Sequence, residues 1–340
     1  MEKGLTMYPN LLIVMFLFVM TSATFGNTDI DKGIELFERG DYKGAGALFE
    51  QLTKNDGLDP DAYYYLGRIR LINNDYEQAA ECFEKALELN ADMPDYYLWL
   101  VRALKRGIPY SGTFGKIKRS NQMMKALNKA IKLDPANIPI RSERFYIYLG
   151  TYKKMGDKGP VTGDVLTAEI DTLKALDSLE GHLAAATYYH TFQDNEKAES
   201  EFKIAAGLEP DDRGLVQSYA GYLCDLHRYD ESLRLLDKYI SANPGDLTIS
   251  FDKGVTLVLS GLDYDEAKSC LLHCLELQSD DGIPTKSSVY WCLGVVCSLM
   301  NQPQEAQEMF DIAGELDPKH DELIENNSRL SRIKELMVGK

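Results

Sequence analysis

Histidine is scarce in this chain, at five residues, and the six cysteines are scattered, which is too little for a metal-rich or disulfide-stapled scaffold. Basic residues are outnumbered, 37 Lys and Arg against 53 Asp and Glu, giving a formal charge of −16 over 340 residues. That balance excludes broad nucleic-acid binding, which needs a basic footprint to displace counterions. No Gly-rich phosphate loop followed by Lys-Ser/Thr is present, nor a His-Glu-x-x-His helix, nor a Gly-x-Ser-x-Gly elbow. Gly159-Pro160-Val161-Thr162-Gly163-Asp164 lacks the lysine of a phosphate loop and reads as a turn. The sequence therefore predicts no enzyme and no cofactor or metal. Strand-length alternation of apolar and polar residues is missing too, which leaves the all-α class.

Long hydrophobic runs are also lacking, with one exception. Leu11 to Met20 is an apolar run of 10 residues, half of the roughly 20 that a membrane-spanning helix needs. Lys3 precedes it, and the small and polar Thr21-Ser22-Ala23-Thr24-Phe25-Gly26 follow. This is the layout of a secretory signal covering residues 1–26, with cleavage near Ala23 or Gly26. The expectation is a soluble, exported protein, periplasmic or secreted, with no integral membrane segment in the mature chain.

What the sequence does have is a period. Tyr63-x2-Leu66-Gly67…Ala79-x3-Phe83-x2-Ala86 recurs as Tyr290-x2-Leu293-Gly294…Ala306-x3-Phe310-x2-Ala313, with a Gly-to-Ala spacing of 12 in both. Ala198-x3-Phe202-x2-Ala205 and Leu127-x2-Ala130 are further copies, each with a proline five residues on, at Pro210 and Pro135. Weaker ones start at Ala45, Ala168, Ser232 and Ala267. Tyr42, Tyr76, Tyr229 and Tyr264 each stand three residues before a small residue of such a copy, where a ring can plug the turn between paired helices. Asp-Pro or Glu-Pro at 134–135, 209–210 and 317–318 stops the second helix of a pair. The pattern resembles the tetratricopeptide repeat, a helix–turn–helix unit of about 34 residues. The resemblance implies a right-handed α-solenoid of about eight units over residues 27–318, with residues 319–340 as a C-terminal capping helix.

Two units carry insertions, near 106–119 and 153–164; the first is expected to lengthen a turn and the second is Gly-rich. Together with Gly181-His182-Leu183-Ala184-Ala185-Ala186, these segments are similar to a group of exported bacterial tetratricopeptide proteins of unassigned function, which implies an envelope setting. Between Asp95 and Asp134 there are nine basic residues and no acid. Of these, Lys125, Lys129 and Lys132 read as the solvated outer face of a helix. Arg102, Lys105 and Arg106 fall at positions that should face the groove, with Arg102 offset from its repeat as Arg68 is from Gly67. Stacked guanidinium groups suit a carboxylate or another anionic group. Tyr64, Phe251 and Trp291, three residues before the helix-A glycine, complete the expected groove; burial of Phe251 and Trp291 by superhelical curvature is the competing reading.

Cys270, Cys274, Cys292 and Cys297 lie close enough in sequence for buried thiols, a disulfide from Cys274 to Cys292 or Cys297, or a zinc site that includes His273. The function these features favour is a non-enzymatic scaffold of the bacterial envelope or periplasm, holding a peptide or protein partner in the groove. A solute-binding protein for a small anionic ligand and a cytoplasmic chaperone adaptor are the alternatives.

Overall fold

The computed structural model describes residues 27–55, 58–276, 284–319, 324 and 328–338. The segment 1–26, read as a signal, lies outside the described residues, as does part of 319–340. The described residues are all-α, with no strand. In chain order the helices are α1 (Asn27–Glu38) and α2 (Tyr42–Asn55), α3 (Pro60–Ile72) and α4 (Tyr76–Leu89), α5 (Pro94–Gly107) and α6 (Thr113–Leu133), and α7 (Ile138–Met155) and α8 (Gly163–Leu176). Then follow α9 (Ser178–Thr191) with α10 (Asn195–Leu208), α11 (Arg213–Asp225) with α12 (Tyr229–Ala242), α13 (Leu247–Ser260) with α14 (Tyr264–Glu276), α15 (Lys286–Leu299) with α16 (Pro303–Leu316), and a last helix, α17 (Ser328–Val338). Two compact units divide the chain, one ending at Ala103 and the other beginning at Leu104, so that the division falls within α5.

Several pairs share the same few devices. Tyr42, Tyr76, Tyr229 and Tyr264 are the first residues of α2, α4, α12 and α14, and Tyr42 and Tyr76 are buried. Two residues before the second helix the backbone turns left-handed, at Gly40, Asn74, Gln193, His227 and Asn301. In the pair α13–α14 the left-handed residue, Gly261, stands three residues before Tyr264, because that turn is one residue longer. The second helices end at Leu133, Leu208 and Leu316, just ahead of the Asp-Pro and Glu-Pro steps. Aspartates cap the first helices: Asp59, Asp177, Asp212 and Asp246 each accept a bond from a backbone amide of the first turn.

The small residues of the period have a specific use. A Cβ on Gly67 would lie 2.8 Å from the Phe83 ring, and one on Gly294 would lie 2.6 Å from the Phe310 ring. Gly33 faces Phe49 in the same way, at 2.6 Å. A glycine on the first helix therefore makes room for a phenylalanine ring of the second, and Phe49 and Phe83 are completely buried. Each such ring contributes about 1.5–3 kcal/mol through burial.

The insertion near 106–119 is not mainly a loop. From Thr113 onward it is helical, so α6 reaches 21 residues against 14 for a typical second helix such as α4. The turn before it, Ile108 to Gly112, is held by the Ser111 hydroxyl, which donates to the Gly107 carbonyl at 2.9 Å and accepts from Arg119 Nε at 2.8 Å. Beyond Gly115, the run Lys116 to Met124 contains neither Gly nor Pro, so nothing in it breaks a helix. The second insertion ends α7 with Gly156, whose φ is +57°, followed by one 3-10 turn, Gly156–Lys158.

In the second unit, the turn before α6 meets the end of α16. The Tyr110 hydroxyl donates to Asp317 Oδ2 at 2.5 Å, and Lys319 Nζ donates to the Tyr110 carbonyl at 2.9 Å. Among the described residues no helix is long and apolar enough to cross a membrane.

Candidate functional site

In the first unit the sequence-predicted residues Tyr64, Arg68 and Arg102 come together around a tryptophan. Arg68 leaves α3 one residue after Gly67, and its guanidinium carbon lies 4.4 Å from the Phe37 ring centroid and 4.5 Å from that of Trp99. Arg102, on α5, places its guanidinium 4.7 Å from the same Trp99 ring. Tyr64 packs beside this group, against Tyr96, whose ring centroid is 5.1 Å away. Burial raises the Tyr64 hydroxyl above its ordinary range despite the nearby Arg68 charge. Among the described residues neither arginine forms an ion pair with a carboxylate, in a chain where most other arginines do. Arg68 Nε is buried without a hydrogen-bond partner. Two cations held against one indole ring, neither ion-paired with a carboxylate among the described residues, can receive an anion through charge-assisted hydrogen bonds.

The remaining predicted residues are placed differently. Lys105 and Arg106 belong to the second unit; Lys105 pairs with Glu143, and Arg106 is half-buried at the end of α5. Phe251 and Trp291 are core residues instead of groove lining, at 9% and 5% exposure. They belong to one cluster with Leu257, Leu293, Leu330 and Ile333. The reason is that α13 and α15 are buried over most of their length and α17 packs across them. Lys125, Lys129 and Lys132 are exposed, as expected for an outer helix face.

The second unit has its own groove. First helices α7, α9 and α11 enclose about 490 Å³, lined among others by Tyr146, Glu180, Thr187, His190, Gln217 and Asp225. His190 Nε2 lies 3.1 Å from Asp225 Oδ2, and Arg332 of α17 donates to Asp225 Oδ1 at 2.8 Å. Burial alone would raise the Asp225 carboxyl, but the His190 hydrogen bond and the charges of His190, Arg332 and Arg329 hold it below its ordinary range. Burial lifts the Glu180 carboxyl, and the charges of Asp177 and Asp212 add to the rise. Two carboxylates thus line this groove, and one of them, Asp225, is held by His190 and Arg332. Near it, Glu169 is a buried carboxylate clamped by Arg141 at 3.1 Å and by Arg144. His182 is taken up by Glu201, which also accepts from Lys174 Nζ at 2.9 Å.

Sequence reasoning missed Trp99, Asp225 and the arginines of α17. Trp99 stands one helical turn before Arg102, a spacing that brings two side chains to one face, so the pair was within reach of pattern analysis. The Asp225–Arg332 pair spans 107 residues and carries no local signal. All six cysteines are free thiols. Among the described residues no cluster of His, Cys, Asp and Glu is placed to hold a metal ion.

Family models described as tetratricopeptide repeat match residues 30–94, 71–107 and 111–137, which together span α1 to α6. Residues 30–107 and 111–137 thus carry tetratricopeptide repeats. No curated protein matches its sequence. Among solved structures, yeast Tom70 is similar at 17% identity, with 87% of this chain and 59% of Tom70 covered and a TM-score of 0.57. That likeness shows the fold. A thermophilic tetratricopeptide-repeat protein of Thermus thermophilus matches at 23% identity over 58% of this chain and 97% of its own, with a TM-score of 0.46. A tetratricopeptide repeat protein from Parabacteroides merdae matches at 16% identity over 79% of this chain and 93% of its own, with a TM-score of 0.43. Tetratricopeptide-repeat proteins generally mediate protein–protein interaction.

Proposed function

We propose that this tetratricopeptide-repeat protein is a non-enzymatic scaffold of the bacterial envelope that holds a peptide or protein partner by an anionic group at Arg68 and Arg102. The observation that carries the reading is the two guanidinium groups at 4.5 and 4.7 Å over the Trp99 ring, neither paired with a carboxylate among the described residues. A planar carboxylate, above all a peptide C-terminus, matches the fork of a guanidinium and relieves the buried, unpaired Arg68 Nε. Export rests on the apolar run Leu11 to Met20 and the small residues after it.

The test uses a fluorescent randomised peptide library in two forms, with free C-terminal carboxylates and with C-terminal amides. The free acids should bind at least tenfold more tightly, and Arg102→Ala should erase that preference without changing the helical content. Equal binding of acids and amides to the wild type counts against the reading. N-terminal sequencing of the native product checks export: a start near Asn27 is expected, and intact Met1 in soluble cytosol would refute it.

A further inference from the structure

The helix α17 does not sit as a cap on the last pair alone. It packs on α13 and α15, the first helices of the last two pairs, and reaches α11 of the pair before them. Its arginines make the longest-range charge contacts on this face. Arg329 Nη2 lies 2.9 Å from Asp252 Oδ1 on α13, and Arg332 Nη1 lies 2.8 Å from Asp225 Oδ1 on α11. Arg332 Nη2 also donates to the Tyr229 hydroxyl at 3.3 Å. Asp252 is only 3% exposed, and its second oxygen accepts from Gln217 Nε2 at 2.9 Å. Between and beyond the arginines, Leu330 and Ile333 are buried in the same cluster as Phe251 and Trp291. Across three repeats, the first-helix face is thus covered by a short amphipathic helix of the chain itself, through two arginines three residues apart and an apolar stripe.

Two further observations bear on what this face binds. The groove of α7, α9 and α11 runs up to the same Asp225, so the carboxylate that seats Arg332 also lines the open cavity. Gly221 of α11 lies beside Arg329, whose guanidinium would be 3.9 Å from a Cβ placed there, an ordinary van der Waals contact. We propose that the face of α11, α13 and α15 is a binding site for an amphipathic helix of a partner protein carrying two arginines three residues apart, and that α17 is its built-in occupant. The external helix competes with α17 for Asp225 and Asp252 and continues into the groove of α7 and α9. The proposal concerns cationic ligands of the second unit and stands apart from the anion site at Arg68 and Arg102.

The probe is a fluorescein-labelled synthetic peptide of residues 324–338, titrated against the full chain. Wild-type protein should bind it weakly, because the tethered copy holds the site. The variant Arg329→Glu/Arg332→Glu, which expels α17 by charge, should bind it at least tenfold more tightly, and Asp225→Asn/Asp252→Asn should lose that gain. Hydrogen exchange of wild-type chain, saturated with peptide, guards against a variant that fails to fold: exchange over 328–338 should rise while exchange over 213–260 falls. Unchanged exchange over 328–338 at saturation, or equal affinity of the wild type and the charge-reversed variant, overturns the proposal. A concentration-dependent dimer that the charge reversal dissolves would assign the face to α17 of a second copy, and would overturn it too.

Discussion

Arg68 stacks on Trp99 with its guanidinium carbon 4.5 Å from the ring centroid, and the same carbon lies 4.4 Å from the Phe37 ring on the other neighbouring helix pair. One side chain therefore ties α1, α3 and α5 together. Arg102 lies over the Trp99 ring, at 4.7 Å.

From this difference follows an asymmetry between two chemically equal substitutions. Arg68→Ala removes contacts to two rings and the aliphatic stem packed between them, and should destabilise the first unit by about 1–2 kcal/mol. Arg102→Ala should cost less than about 1 kcal/mol, since one half-exposed cation–π contact is lost. Arg68→Lys keeps the charge but not the planar stack, and should fall between the two. Urea denaturation followed by circular dichroism, with hydrogen exchange over residues 60–103, ranks the three. Equal losses for Arg68→Ala and Arg102→Ala would contradict the bridging role.

The glycines of the period should not tolerate alanine equally. At Gly181 an added Cβ would lie 2.4 Å from the Lys174 backbone, which cannot swing aside. At Gly67 and Gly294 it would meet phenylalanine rings at 2.8 and 2.6 Å, and a ring can tilt at some cost. At Gly254 the neighbour is a leucine branch at 3.1 Å. Gly181→Ala should cost the most, beyond about 3 kcal/mol; Gly67→Ala and Gly294→Ala about 1–3; and Gly254→Ala less. Melting temperatures of the four single variants test the order.

These glycines also show how far the sequence was legible. The repeat and its turns were readable because each device is local: Gly67 and Phe83 lie within one pair, as do Tyr76 and the left-handed Asn74. Arg68 and Arg102 were readable as neighbours because equivalent positions of consecutive repeats stack. For Phe251 and Trp291 the repeat position left two readings, groove lining and burial; burial holds, with α17 returning over them from beyond the array. No period within the array encodes that return. The insertion near 106–119 misled: its length was clear, but helix and loop differ there only by propensity, and the chain extends α6.

The left-handed turn positions make a further prediction. Gln193 adopts φ +64° and Asn74 the same value. Asn tolerates that region, and Asn74 Oδ1 also accepts the Tyr76 hydroxyl at 2.8 Å, so its side chain is useful there. Gln193 has no such compensation in its residue type. Gln193→Gly should stabilise the chain by a few tenths to about 1 kcal/mol, the relief of strain exceeding the added entropy of the unfolded chain. Asn74→Gly should be neutral or destabilising. A thermal shift of opposite sign at Gln193 would show that its side chain makes a contribution the backbone argument omits.

The buried thiols set the response to alkali. Cys274 is 4% exposed and its thiol donates to the Leu247 carbonyl at 3.4 Å. Burial pushes its pKa from the ordinary 9.0 up to about 12, and burial likewise moves Cys82 up to about 11 and raises Cys292. A raised folded-state value means that the native state keeps the proton when the unfolded chain has already lost it. The stabilisation is therefore fully present below pH 9, and it declines from there up to the folded-state value, near 12 for Cys274. For one such thiol the decline is about 1.4 kcal/mol per pH unit within that window. Urea midpoints of the wild type should be flat with respect to this thiol from pH 7 to 9 and fall at pH 10, while Cys274→Ala should fall less steeply. At pH 8 the native protein should react slowly with a thiol reagent at Cys224, Cys274, Cys292 and Cys297, and all six cysteines should react at once in urea. Parallel pH curves for wild type and Cys274→Ala, or fast native reaction of the four buried thiols, would mean that water reaches the core around α13 and α15.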